Sequence, residues 1–251
     1  MRVKLDRRFG ILTLALGAIG SWVLALTLLS GCANFDPNQL GQVLGGSGTL
    51  DDGTITAGLR EALTVGTGRA VETVSVTDGF LGDTARRILL PQELQSAASK
   101  ARQLGFGSQV DEFETLMNRA AEEAAGEAVD VFANAVRSMS WQDVRGILNG
   151  PDDAATAFFR ARTSDELTAR FRPIVDAKME TVGLVRAWNQ ARNAWSMVQP
   201  GGIPSLDLGA YVTDRTLEGL FGQLAVEERR IREDPVARTT ALLQKVFGPR
   251  G

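Results

Sequence analysis

From Thr54 onward apolar residues recur at every third or fourth position, and that period limits what the chain can become. A spacing near 3.6 gathers side chains on one face of a helix, whereas a half-buried strand needs strict alternation. Ile55, Leu59, Ala62, Leu63, Gly66 and Ala70 predict a first helix to about Val76, broken by Thr77-Asp78-Gly79-Phe80. Pro91 stands where a first helical residue belongs, ahead of Leu94, Ala97, Ala98, Ala101 and Leu104. Gly105-Phe106-Gly107 closes that helix. Phe113, Leu116, Met117, Ala120, Ala124, Val131 and Ala135 predict one long helix from about Ser108 to Ser138.

Ser140-Trp141-Gln142-Asp143 has the form of a cap for a short helix through Leu148, stopped by Asn149-Gly150. Pro151-Asp152-Asp153 opens the next, which carries Phe158 and Phe159; the two acids suit the positive end of the helix dipole. Thr163-Ser164 is expected to cap another, with Pro173 kinking or restarting it before Trp188 and Trp195. After a loop at residues 199–204, a helix is expected from Thr213 to Asp234. A last one follows from Asp234-Pro235 on Val236, Leu243, Val246 and Phe247. No useful strand alternation appears. The expected fold is all-α, one compact domain of about eight or nine helices over residues 54–248.

Composition removes several chemistries. There is no histidine, which excludes His-dependent triads, His general bases and most zinc sites. Cys32 is the only cysteine, so no internal disulfide or thiolate cage can form. Phosphate-loop, dinucleotide and serine-nucleophile motifs are also missing.

Cys32 has a distinctive setting. Met1–Arg8 is basic, Phe9–Leu29 is apolar, and the run closes on Leu29-Ser30-Gly31-Cys32. That ending resembles the bacterial lipobox, in which the cysteine thiol receives a diacylglycerol before cleavage. A plain transmembrane anchor is the rival, since Ile11–Leu29 is long enough to span a bilayer. Residues 1–31 then form an export signal, and residues 32–53 a lipidated cysteine with a flexible Gly/Asn/Ser-rich tether. Ala33 follows the cysteine with no Asp; by resemblance to Gram-negative sorting rules this implies the outer membrane.

Residues 1–31 hold four basic residues and one acid, leaving 23 basic and 29 acidic residues and a net charge of −6. That balance argues against a nucleic-acid partner. About 220 residues remain, enough to bury roughly 70% of the unfolded surface without metals or disulfides.

Placing residues at 100° intervals singles out inward charges. Glu127 falls on the apolar face of the long helix, with Arg119, Glu123, Asp130 and Asn134 beside it as a polar seam. Glu228 shares a face with Leu217, Leu220, Phe221, Leu224 and Ile231, and Arg232 lies one turn on. Lys178 shares the face of Leu167, Phe171, Ile174 and Val182. Charges so placed need partners or a wet cavity. The expected arrangement is a network of Glu127 and Glu228 with Arg119, Lys178, Arg232 or Arg172; a polar ligand pocket is the alternative. Glu123, Glu127, Glu228 and Asp152 could in principle offer oxygens to a hard cation, but no metal or cofactor is expected.

Long stretches are similar to the bacterial lipoprotein family Domain of Unknown Function 4197. They include LREALTVGTGRAV (59–71), DGFLGD (78–83), DEFETLMNRAAEEAAGEA (111–128), ILNGPDDAATAFFR (147–160), FRPIV (171–175) and EERRIREDPVARTTALLQKVFG (227–248). The resemblance implies an exported or lipid-anchored helical protein and brings no activity or cofactor. The expected role is a non-catalytic binding or envelope-organising module, attached to a membrane by its lipid and meeting an envelope protein. Two rivals stand beside it. One is a carrier of a hydrophobic ligand, with Trp141, Trp188, Trp195, Phe158 and Phe159 as core or groove anchors. The other is a carboxylate-dependent glycan-cleaving enzyme with Glu127 or Glu228 as the acid.

Overall fold

The computed structural model describes residues 51–181 and 206–234. Cys32, Trp188, Trp195, the loop at 199–204 and the helix expected from Asp234-Pro235 lie outside the described residues, where only Asp234 itself is described. Within them are seven helices and no strand: α1 Asp52–Ser75, α2 Gln92–Gln103, α3 Gly107–Ala125, α4 Ala128–Arg137, α5 Trp141–Leu148, α6 Ala154–Thr181 and α7 Leu208–Glu233. The all-α expectation holds.

Helix α7 is the centre of the packing, against α6, α1 and α3. It buries Leu208, Val212, Leu217, Leu220, Phe221, Leu224 and Ile231 along one stripe. Gly66 of α1 brings the two backbones close, since a Cβ there would lie 3.2 Å from Ile231 Cδ1. Phe132 of α4 meets Phe159 of α6 edge-on at 5.1 Å and Phe221 of α7 at 6.2 Å, which joins three helices through fully buried rings. Phe80, from the connection at residues 76–91, fills the hollow left by Gly219 of α7; a Cβ there would collide with its ring.

Local signals placed most helix ends. Asp51 caps α1 by accepting from Thr54 N at 2.9 Å, so the tether expected through Gly53 stops short of the first turn. Ser140 and Asp143 form the reciprocal cap of α5. Asp207 accepts from Ala210 N at 2.9 Å and starts α7 at Leu208, ahead of the expected Thr213.

Two expectations are corrected. The long helix over 108–138 is interrupted at Gly126-Glu127, where Glu127 N–H bonds back only three residues to Ala124 O. Conversely, residues 154–181 form one unbroken helix. The Thr163 and Ser164 hydroxyls donate to Phe159 O and Arg160 O one turn back, at 2.6 and 2.7 Å, and cap nothing. Pro173 sits inside the same helix on an exposed position, so the helix carries through it.

Candidate functional site

Glu228 is the inward charge that the structure bears out. It is 7% exposed on α7 and points at the corner between α5 and α6. Its Oε1 accepts from Ala155 N at 3.0 Å, and its Oε2 from Thr156 N and Thr156 Oγ1 at 2.8 Å each. These are first-turn amides of α6, which have no partner within their own helix. Arg232, one turn along α7, donates Nη2 to Glu228 Oε1 at 2.8 Å and to Ile147 O at 3.1 Å. The acid therefore meets the positive end of α6, while the base meets the last turn of α5, where carbonyls are free. One ion pair joins two helix ends to a third helix.

A second buried acid, Glu122, performs a related task. It is 4% exposed; its Oε1 accepts from Phe80 N at 3.1 Å and Leu81 N at 3.2 Å. Arg119 donates to Glu122 Oε2 at 2.6 Å and to Asp78 Oδ1 at 2.7 Å. Those two carboxylates hold the guanidinium proton more tightly than usual, Glu122 contributing most. Asn118, fully buried, brackets Ile88 by accepting from its N–H at 2.8 Å and donating to its carbonyl at 2.9 Å. The connection at 76–91 is thereby fastened to the flank of α3.

Glu127 is the main miss. It is exposed, and no buried network includes it. The buried stripe of α3 and α4 centres on Met117, Ala121, Ala124, Ala128 and Ala135, whereas Phe113 and Leu116 are only half-buried. Using those two to set the phase turned the expected face toward Glu127. Glu122 went unnoticed because periodicity puts it beside the stripe, and only the non-helical connection covers that flank. The available signal was Arg119 three residues before Glu122, a helical pair like Glu228 and Arg232.

The remaining candidates lie on the surface. Lys178 is half-exposed and donates to exposed Glu123 at 2.6 Å, while Leu167, Phe171, Val175 and Met179 take the buried face. Exposed Asn134 accepts from Arg137 of its own helix, and Asp130 is also exposed. Arg172 bonds Asp176 at 2.6 Å and Asp207 at 2.9 Å, Asp176 being the stronger influence in raising its pKa. Of the expected network, Glu228 with Arg232 is assembled, Arg119 serves Glu122, and Lys178 serves Glu123. Asp152 is exposed ahead of α6 and does not gather with Glu123, Glu127 and Glu228 as a set of oxygen ligands. Among the described residues, no group of three Asp, Glu, Cys or His could hold a metal ion, and no helix is long and apolar enough to cross a membrane.

A model of a family described as a protein of unknown function, DUF4197, matches residues 49–248. The chain belongs to that family. No curated protein and no solved structure matches it. Both acid bolts of this DUF4197 chain fall inside the matched span.

Beside Glu228 and Arg232 the DUF4197 domain has a cleft lined by Leu59, Leu63, Ile147, Ala155, Leu224 and Ile231, of about 30 Å³. That admits a water or a methyl group, against the several hundred Å³ of ordinary ligand pockets. Phe159 is in the core and Trp141 and Phe158 pack partly buried against it, so these aromatics act as core anchors.

Proposed function

We propose that this chain is a lipid-anchored, periplasm-facing helical module that binds or organises other envelope components and is not a catalyst. The observation that carries the reading is the engagement of Glu228. Both of its oxygens are occupied by backbone amides, a hydroxyl and a guanidinium, and the adjacent cleft is apolar and too small for a sugar ring. A general acid needs a free, correctly placed proton in reach of its substrate. The same small cleft favours a structural use over the carriage of an acyl chain. The lipid anchor and the outer-membrane position are supported by Leu29-Ser30-Gly31-Cys32 followed by Ala33.

Two measurements test this. Incubated with purified peptidoglycan, the protein and a Glu228→Gln variant should both release no fragments; release by the first and not the second would make the protein a hydrolase. Expressed in a Gram-negative host with labelled palmitate, the chain should carry label in the outer-membrane fraction, and Cys32→Ser should lose it. Equal labelling of the two would sink the anchor.

A further inference from the structure

The corner between α2 and α3 is built unlike the rest of the surface. Of the residues of α2 only Leu94 is buried, and its main packing is on α3. At the corner Gly105 takes φ +92°, which a side chain resists. Gly105 N–H donates to Arg102 O at 3.1 Å and Phe106 N–H to Ala101 O at 2.9 Å, the paired closure of a helix C-terminus. This closure fixes the chain on both sides of the glycine. Leu104 is nevertheless 75% exposed and Phe106 54% exposed. Such a closure commonly packs its outer apolar residue back on the helix; here it holds that residue outward.

Between Leu94 and Val110 the only charged residues are Lys100 and Arg102, both cationic, in a chain whose exported part is net acidic. Arg102 also meets Asp111 and, at 3.9 Å, Glu114, which holds it at the base of the corner. Two large apolar side chains flanked by cations match the chemistry of a phospholipid headgroup layer, where apolar groups sink below phosphates that attract bases.

We infer that Leu104 and Phe106 enter a phospholipid surface and give the domain a second membrane contact. The inference rests on the lipid-anchor reading for bringing the domain to that surface. Eighteen residues separate Cys32 from Asp51, a reach of at most ~60 Å, against a domain roughly 40 Å across. Any face of the domain can therefore be brought down to the bilayer.

The test uses the chain purified from bacterial membranes and reconstituted in phosphatidylethanolamine–phosphatidylglycerol vesicles. A polarity-sensitive fluorophore is placed at Ser108→Cys, or at Thr64→Cys on α1 as a control, and the unsubstituted chain subtracts any labelling of Cys32. Brominated lipid should quench the label at 108 and blue-shift its emission, and leave the label at 64 unchanged. Leu104→Ser with Phe106→Ser should abolish both effects while far-ultraviolet dichroism stays the same. Equal response at 108 and 64, or shielding of 108 by cross-linking to a second copy or another protein without lipid quenching, would overturn the inference. The mass of the Cys32 peptide reads the anchor separately. Quenching at 108 with unmodified Cys32 sinks the anchor alone, and lipidated Cys32 without quenching sinks the corner alone.

Discussion

The connection at residues 76–91 and the corner between α5 and α6 solve one problem in opposite ways. Each contains backbone groups that no helix satisfies, and each is packed against the core, where an unsatisfied group costs free energy. The connection spreads the task. Glu122 takes two amides, Asn118 takes both groups of Ile88, Arg86 donates to Gly79 O at 3.2 Å, and Tyr211 donates to Leu89 O at 2.9 Å. The corner relies on Glu228, with Arg232 as its counter-ion. Concentrating the task in one carboxylate uses the dipole of a long helix, but it also makes that carboxylate a single point of failure.

Glu228→Ala should therefore be the most damaging single change. It leaves Ala155 N, Thr156 N and a nearly buried arginine without their acceptor, a loss of about 3–5 kcal/mol for half of a buried pair. Urea unfolding of the full chain measures it. A loss under 1 kcal/mol would show that Asp152 or Asp153 can cap α6 instead. In the connection, Asn118→Ala should cost less, about 1–3 kcal/mol, because Glu122 and Tyr211 still hold the segment. If the two substitutions cost the same, the contrast between concentrated and distributed fastening fails.

The corner's other end tests the comparison by pH. Asp143 caps α5, and the Ser140 amide followed by the Ser140 hydroxyl holds its carboxyl below the usual aspartate range. A folded pKa below the unfolded one contributes stability that is present above about pH 4 and is lost as pH falls through the lower, folded value. Asp143→Asn should cost about 1 kcal/mol at neutral pH. It should also flatten part of the fall in Tm between about pH 4 and 2.5. An unchanged acid limb would place the cap's stabilisation elsewhere.

How much of this was legible follows from the same contrast. Periodicity found Glu228 because its surroundings are helices, whose faces repeat every 3.6 residues. Caps at Ser140-Asp143 were readable because they are local in sequence. Glu122 was not, since its partners at Phe80 and Leu81 lie about forty residues away in a segment without period. Thr163-Ser164 misled for a related reason: a hydroxyl that caps a helix start also bonds back within a helix, and only the packing of Phe159, Leu167 and Phe171 along one stripe decides. Glu127 shows the remaining weakness, a face phased on large residues at its rim when small alanines marked its centre.

The smallest effect belongs to the connection's outermost fastening. Tyr211 projects from α7, and its hydroxyl donates to Leu89 O, a bond available only to the neutral phenol. Burial raises its pKa above 10. A raised folded pKa means the stabilisation is complete below the unfolded value and is lost as pH rises through the folded one, so the window opens above about pH 10. Tyr211→Phe keeps the ring and removes the donor, and with Asn118 still bracketing Ile88 the cost at pH 7 should be only about 0.5–1 kcal/mol. The variant should also lose part of the decline in stability between about pH 10 and 11.5 that the parent shows. Denaturant midpoints across that range decide it. A cost at pH 7 as large as that of Asn118→Ala would mean that the connection hangs on its last bond, and that its fastening is no more distributed than the corner's.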